Sequence, residues 1–150
     1  MDDAKIPNGT TSPHPDLRLF TSSTPLSVTL GESTPSFDHC FILPDLPPPT
    51  VDTRPLPLKE FAHLFDEETR INLLASTTEP TFQFYTGDGI DVKISGDKKT
   101  SASFGSRAGL CLEAGRLINA VNDPKARGWV VLKEGEIYGS YTTYSAWISP

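Results

Sequence analysis

The stretch that decides the predicted fold is residues 81–94, which read TFQFYTGDGIDVKI. Apolar and polar residues alternate in both arms, a pattern typical of β-strands. Between the arms lie Gly87 and Gly89, and glycine readily adopts the positive φ of a tight turn. The stretch therefore predicts a β-hairpin. A second hairpin is predicted over residues 129–144, where Gly135 stands at the turn and the arms are rich in β-branched and aromatic residues.

Two helices are predicted around these hairpins. Residues 58–75 place apolar side chains at i, i+3 and i+4, and residues 103–121 carry an apolar stripe with Leu117 near its centre. Consecutive hairpins make antiparallel sheets, and interleaved helices cover one face of such a sheet. The predicted class is therefore α+β: an antiparallel sheet of hairpins with a ββαββ nucleus over residues 81–144, one or two helices packed on one face, and extra strands before residue 44.

Prolines divide the chain into segments. Six of its 14 prolines lie within residues 44–57. Each proline fixes φ and removes a backbone donor, so this segment is predicted to be an extended connector. Residues 1–16 combine prolines, glycine and polar residues without hydrophobic periodicity, which predicts a mobile arm. Residues 17–150 are numerous enough to form a single domain with its own core.

Charge and composition disfavour several classes of protein. The formal net charge is -6, and the acidic excess lies in residues 1–80, which hold five Lys and Arg against twelve Asp and Glu. Nucleic-acid phosphates attract positive surfaces, so this charge disfavours nucleic-acid binding without excluding it. No apolar run reaches the ~20 residues that span a bilayer, and the N-terminus lacks the features of a signal peptide. A cytoplasmic or nuclear protein is predicted.

Motifs for catalysis, metal binding or cofactor binding are absent from the sequence. Neither Cys40 nor Cys111 belongs to a metal-binding spacing, and no Gly-x-Ser-x-Gly elbow or phosphate-binding loop occurs. Carboxylate pairs for acid–base chemistry stay open, because the mutual positions of the acidic residues, Glu113 among them, cannot be read from their spacing. In the helix predicted over residues 103–121, Glu113 falls away from the apolar stripe. The sequence therefore predicts no catalytic residue, no metal and no cofactor.

The remaining features are the aromatic C-terminal region and the proline-rich connector. Large aromatic side chains are enriched at protein interfaces, and those near the C-terminus are predicted to form one: Trp129, Tyr138, Tyr141, Tyr144 and Trp147. In the connector, Arg54, Pro55 and Pro57 resemble the start of the Arg-x-x-Pro-x-x-Pro pattern of SH3 ligands. An extended segment of this kind fits aromatic grooves on a partner.

Three functional hypotheses fit these features. The leading one is a non-enzymatic interaction or assembly module that forms a homo-oligomer or binds a protein partner. Its layout of mobile arm, proline-rich segment and α+β body is similar to that of matrix proteins of negative-strand RNA viruses, which implies a small viral structural or accessory protein. The second is nucleic-acid binding by the sheet face, which would use the aromatic residues Trp129, Tyr138 and Tyr141 with the basic residues Lys93, Lys98, Lys99 and Arg107. The third is a small-ligand-binding or enzymatic α+β domain.

Overall fold

The computed structural model describes residues 10–14, 36–94 and 102–150. Within these residues the regular structure consists of eight β-strands and two 3-10 turns. The strands are β1 (Asp38–Ile42), β2 (Lys59–Phe65), β3 (Ile71–Thr77), β4 (Thr81–Tyr85), β5 (Val92–Ile94), β6 (Ala102–Phe104), β7 (Cys111–Gly115) and β8 (Thr142–Ile148), and the turns are Ala120–Asn122 and Arg127–Trp129. The predicted α+β class, with helices packed on one face of a sheet, is therefore wrong. The described chain is nearly all β, with antiparallel sheets.

Residues 58–75, predicted as a helix, form the antiparallel pair of β2 and β3. The turn between the strands is held by Asp66, whose carboxylate accepts hydrogen bonds from the backbone amides of Glu68 and Thr69 at 2.8 and 3.0 Å. Arg70 completes the turn in the left-handed region, with φ 56°. A side chain that bonds nearby backbone amides in this way competes with helix formation, so the turn overrides the helical spacing of the apolar residues.

Residues 103–121, also predicted as a helix, are divided between β6, β7 and the first 3-10 turn. The segment contains three glycines, and each lowers helix propensity by about 1 kcal/mol relative to alanine. Between the strands, Arg107 has φ 62° and its amide donates to the Gly87 carbonyl at 2.8 Å. A residue in the left-handed region ends a helix, so this segment turns back where a helix would continue.

The predicted hairpins contain the expected turns, but their strand pairing is wrong. In residues 81–94, Gly87 has a positive φ of 74°, yet β4 lies between β1 and β7 while β5 pairs with β6. In residues 129–144, Gly135 has a φ of 83°, yet β8 pairs with β3 rather than with the other arm. The predicted ββαββ nucleus is therefore wrong, because β4 and β8 lie beside strands that are distant in sequence and β5 pairs with β6.

The described residues divide into two compact units. In the first unit, β2, β3 and β8 form one sheet in that order. A second sheet has the order β1, β4, β7. The first unit comprises residues 40–83 and 112–150, and the second comprises residues 10–14, 36–39, 84–94 and 102–111.

Aromatic rings join the strands of the first unit. Phe61, at a register shift in β2, packs on Phe82 of β4 with ring centroids 4.9 Å apart. Phe82 also stacks on Phe41 of β1, at 5.4 Å. A separate small core is formed by Ala120, Ala126 and Trp129, with Leu117 packed against it. Leu117 is thus packed against a core, as predicted, although it lies outside any helix.

The second unit is organised around Phe37, which is fully buried. Its ring packs on Phe84 and His14, with centroids 5.3 and 4.9 Å away. Its amide donates to the Thr86 hydroxyl at 2.9 Å, and its carbonyl accepts from the Thr86 amide at 2.9 Å. These bonds hold Phe37, which precedes β1, beside Thr86, which follows β4.

Several predictions concern residues that the structure does not describe. Most of the arm predicted at residues 1–16 lies outside the described residues, as do the early strand candidates before residue 36. The strand expected just before the proline-rich connector is confirmed as β1. The single domain predicted over residues 17–150 stays a prediction. In the described part of the chain, no helix has the length and apolar character needed to cross a membrane.

Candidate active site

The side chains of β4 alternate between an apolar and a polar face. Phe82 packs on phenylalanines from β1 and β2, so its neighbours Thr81 and Gln83 point to the opposite side. The Thr81 hydroxyl donates a hydrogen bond to the Gly115 carbonyl of β7 at 2.8 Å. This bond ties the beginning of β4 to the end of β7.

Glu113 occupies the middle of β7. The strands β4 and β7 are neighbours in their sheet. Glu113 is exposed, whereas the other residues of β7 are half-buried.

The backbone on both sides of Glu113 is anchored by hydroxyl groups. The Tyr144 hydroxyl donates to the Leu112 carbonyl at 2.7 Å, and Thr81 holds Gly115. Within residues 10–14, 36–94 and 102–150, no side chain forms a hydrogen bond or ion pair with the Glu113 carboxylate. Glu113 is therefore an exposed carboxylate on an anchored strand, able to accept a proton or a hydrogen bond from a ligand.

A buried ion pair lies at the ends of the same two strands. Arg116 directly follows β7, and Glu79 precedes β4 by two residues. The Arg116 Nε and Glu79 Oε2 atoms lie 2.9 Å apart, and the two side chains are only 8% and 5% exposed. Neither atom makes an aligned hydrogen bond, so their contact is an ion pair. The Nη atoms of Arg116 donate instead to backbone carbonyls.

Two cavities lie away from Glu113. One, of about 120 Å³, is lined by Trp129, Glu79 and prolines of the connector. Because small-molecule pockets usually measure ~300–1,000 Å³, this cavity is smaller than a typical ligand pocket. The other is an open groove of about 400 Å³ beside the connector. The acidic residue among its described lining residues, Glu136, already accepts a hydrogen bond from the Lys133 amide at 2.8 Å. Neither cavity offers a better candidate than Glu113.

The five aromatic residues predicted to form an interface lie in different environments. Trp129 is 3% exposed and belongs to the small core. Tyr138 and Trp147 are exposed but stack on side chains of their own unit. Tyr141 and Tyr144 are also exposed. Self-association of the chain through the exposed rings stays a prediction.

The predicted SH3-ligand residues Arg54, Pro55 and Pro57 are all exposed. Arg54 donates to both carboxylate oxygens of Asp52 at 2.8 Å, and this hydrogen bonding holds the pKa of Asp52 below its ordinary value. The connector packs on its own unit, since Thr53 is fully buried and its amide donates to a backbone carbonyl at 2.8 Å. Recognition of these prolines by a partner stays a prediction.

The basic residues of the nucleic-acid hypothesis are only partly described. Lys98 and Lys99 lie outside the described residues. Lys93 is exposed on β5, while Arg107 forms an ion pair with Asp88 at 2.7 Å. An arginine that already pairs with a carboxylate attracts a phosphate less strongly, so the described residues lend this hypothesis no support.

The sequence contains one signal for Glu113 that the helical interpretation concealed. In CLEAG, a carboxylate stands between apolar or small residues on both sides. On a helix such a residue is an ordinary solvent-facing position. On a strand, its two neighbours point to one side of the sheet and the carboxylate points to the other. Glu113 is therefore distinctive only if its segment is predicted as strand rather than as helix.

Comparison with known proteins gives the chain a family. It matches the family described as aldose 1-epimerase over residues 1–145. It is 39% identical over 140 residues to the bifunctional protein GAL10 of Kluyveromyces lactis, covering 93% of this chain and 18% of that protein. It is 44% identical over 68 residues to the galactose mutarotase of Sus scrofa, covering 45% of this chain and 19% of that protein. An uncharacterized isomerase of Saccharomyces cerevisiae is 34% identical over 132 residues, or 86% of this chain and 35% of that protein. The chain thus spans between 18% and 35% of the length of these relatives.

These matches overturn the leading functional hypothesis. A non-enzymatic interaction or assembly module is wrong because the matched family is one of enzymes. A viral matrix-like protein is wrong for the same reason, since that likeness of layout rests on no shared motif. The third hypothesis, an enzymatic domain, agrees better with the matches, although its α+β class does not. The cytoplasmic or nuclear location stays a prediction. Since the match extends over residues 1–145, the chain belongs to the aldose 1-epimerase family.

Proposed function

We propose that this chain takes part in interconverting the α and β anomers of an aldose, with Glu113 as the general base. The family match and the exposed, anchored carboxylate support this proposal. Galactose is the proposed substrate, because matched relatives from Sus scrofa and Bos taurus are named galactose mutarotase.

The reaction requires proton transfer at two oxygen atoms of the sugar. A base removes the proton of the C1 hydroxyl, the bond from C1 to the ring oxygen breaks as the C1 carbonyl forms, and the ring oxygen takes up a proton from solvent. After rotation about the C1–C2 bond, the ring closes on the other face of the carbonyl and the proton transfers reverse. A carboxylate at Glu113 supplies the base for ring opening and, once protonated, the acid for ring closure.

The setting of Glu113 is the observation that carries the proposal. Its strand is held at the Leu112 carbonyl and at the Gly115 carbonyl. A carboxylate on an anchored backbone needs little reorganisation to meet the C1 hydroxyl, and such preorganisation lowers the barrier of proton transfer.

The test is the rate at which freshly dissolved α-D-galactose reaches anomeric equilibrium, followed by polarimetry. The chain should accelerate this rate above that of buffer. Glu113→Gln keeps the shape of the side chain but removes the base, so it should lower kcat by about a hundredfold or more. Circular dichroism of the variant should match that of the wild type, because Glu113 is exposed.

Glu134→Gln is the matched control, since Glu134 is an exposed glutamate in a turn of the same unit. Its activity should equal that of the wild type. Full activity of Glu113→Gln would refute the assignment of the base. Failure of the wild-type chain to exceed the spontaneous rate would refute the proposed activity of this chain.

A further inference from the structure

We propose that Glu79 and Arg116 form a clamp that holds β7, and Glu113 with it, in the position needed for proton transfer. Arg116 is then a positioning residue rather than a catalytic one. This inference rests on the proposed function of Glu113, but it also makes a claim about the order of β7 that can be measured without any activity.

The Arg116 guanidinium contacts several stretches of the first unit. Its Nη1 donates to the Thr50 carbonyl at 3.3 Å, and its Nη2 donates to the Val51 carbonyl at 3.0 Å. Nη2 also reaches the Gly139 carbonyl at 3.4 Å. Together with the ion pair to Glu79, these bonds connect the end of β7 to three separate stretches of the first unit.

Two aromatic rings enclose the guanidinium. Its central carbon lies 5.6 Å from the ring centroid of Trp129 and 5.1 Å from that of Tyr138. Cations attract aromatic faces at distances up to ~6 Å, more strongly when water is excluded. Because the Arg116 side chain is only 8% exposed, little water competes with the rings or with Glu79. The Arg116 side chain is therefore held by an ion pair, by backbone carbonyls and by two aromatic rings.

The position of the clamp links it to Glu113. Arg116 is the first residue after β7 and follows Glu113 by three residues. Glu79 lies two residues before Thr81, which bonds the last carbonyl of β7. The ion pair and the Thr81 bond thus act on the same end of the strand, while Tyr144 holds Leu112 next to Glu113. Loss of the clamp leaves β7 anchored by Tyr144 and Thr81 but removes the contacts of Arg116 at its end, so that end is held less firmly.

Arginine is the side chain that this arrangement requires. A guanidinium has five donors in one plane, so it can meet a carboxylate and three carbonyls while its faces stack on rings. Lysine keeps the positive charge but has a compact ammonium with no flat face. Arg116→Lys therefore separates the charge of the clamp from its geometry.

The experiment measures activity and backbone order in the same set of variants. In Arg116→Lys, kcat for galactose mutarotation should fall by about ten- to a hundredfold, as expected for a misplaced catalytic group. KM should change less than about threefold, since binding that is common to substrate and transition state is retained. Amide hydrogen exchange at Leu112–Ala114 should become faster. Arg54→Lys is the matched control, because Arg54 pairs with a carboxylate at a similar distance but is exposed.

Tyr138→Leu is a milder variant, in case Arg116→Lys fails to fold. Tyr138 is exposed, so its loss should leave the fold intact while removing one ring from the guanidinium. It should lower kcat and increase exchange in β7, both to a smaller extent than Arg116→Lys.

The outcomes separate this inference from the proposed function. If Glu113→Gln is inactive but Arg116→Lys and Tyr138→Leu keep wild-type kcat and exchange rates, the clamp proposal is wrong and the base assignment stands. If the wild-type chain has no mutarotase activity, the proposed function is wrong. The exchange rates at Leu112–Ala114 then decide the clamp alone: faster exchange in the variants supports it, and unchanged exchange overturns it.

Discussion

Two arginine–carboxylate pairs of the first unit have nearly the same nitrogen–oxygen distance but different surroundings. The nitrogen–oxygen distance is 2.8 Å in Asp52–Arg54 and 2.9 Å in Glu79–Arg116. The side chains of the first pair are 29% and 39% exposed, whereas those of the second are 5% and 8% exposed. Exposed pairs contribute little because water and salt screen them, while a buried charge that loses its partner is strongly unfavourable. Distance alone therefore does not measure what a pair contributes.

Gly139 contacts both arginines and makes the comparison direct. Its carbonyl accepts a hydrogen bond from Arg116 Nη2 at 3.4 Å. On its other side, a Cβ placed on Gly139 would clash with the side chain of Arg54. The same residue thus borders a fixed arginine and an exposed one that can move aside.

The largest loss of stability is expected when the buried Glu79–Arg116 pair is broken. Arg116→Met should lower the free energy of unfolding by about 3–5 kcal/mol, because Glu79 remains as a buried charge without a partner. Urea denaturation measures this loss. The double variant Glu79→Gln/Arg116→Met removes both charges and should regain most of the stability. A single variant within about 0.5 kcal/mol of the wild type would show that the buried pair contributes little to stability.

A smaller loss of stability is expected for Leu117, next to Arg116, because its truncation changes packing but no charge. Leu117→Ala should lower the free energy of unfolding by about 2 kcal/mol, at the low end for leucine truncations, because Leu117 is only half-buried against the small core. Chemical denaturation of Leu117→Ala beside Arg116→Met ranks the two effects. If Leu117→Ala costs more than Arg116→Met, then packing outweighs charge in this region.

The Asp88–Arg107 pair of the second unit is exposed to a degree similar to Asp52–Arg54, with side chains 30% and 25% exposed. Hydrogen bonds from the Thr86 hydroxyl and from Arg107 hold the pKa of Asp88 below its ordinary value of 3.8. Because the folded-state pKa is lower than the unfolded one, the stabilisation is complete above pH 3.8 and is lost as pH falls through the folded-state value.

The measurement is stability against pH in the wild type and in Asp88→Asn. Between pH 5 and pH 3, the wild type should lose more stability than the variant, by well under about 1 kcal/mol because the pair is partly exposed. Equal losses in the two proteins would show that Asp88 has the same pKa in the folded and unfolded states.

These comparisons also show what the sequence can and cannot predict. The turns at Gly87 and Gly135 and the strand before the connector depend on local chemistry, and all three were predicted. The helices were wrong because a spacing of i, i+3 and i+4 also occurs by chance in two short strands joined by a turn. In residues 58–75, the hydrogen bonds from the amides of Glu68 and Thr69 to the Asp66 carboxylate favour the turn over a helix.

The candidate site is less accessible to sequence analysis than the fold. Glu113 becomes distinctive only when its segment is known to be a strand. The clamp joins Glu79, Arg116, Trp129 and Tyr138 with the carbonyls of the connector. These residues are far apart in sequence, and no motif connects them. Burial creates the clamp, and burial depends on the pairing of distant strands.

The smallest change in stability is expected when the exposed Asp52–Arg54 pair is broken. Arg54→Met should leave the urea midpoint unchanged, because both side chains already lie in water and Asp52 stays hydrated when its partner is removed. The pKa of Asp52 should nevertheless rise toward its ordinary value of 3.8, because the hydrogen bonds from Arg54 lower it in the wild type. An NMR titration of the Asp52 carboxyl measures this rise, and Arg116→Met serves as the reference for the loss of a buried partner. A midpoint that falls as far in Arg54→Met as in Arg116→Met would show that exposure does not govern these pairs, and that Arg54 supports the connector through its contact with Gly139.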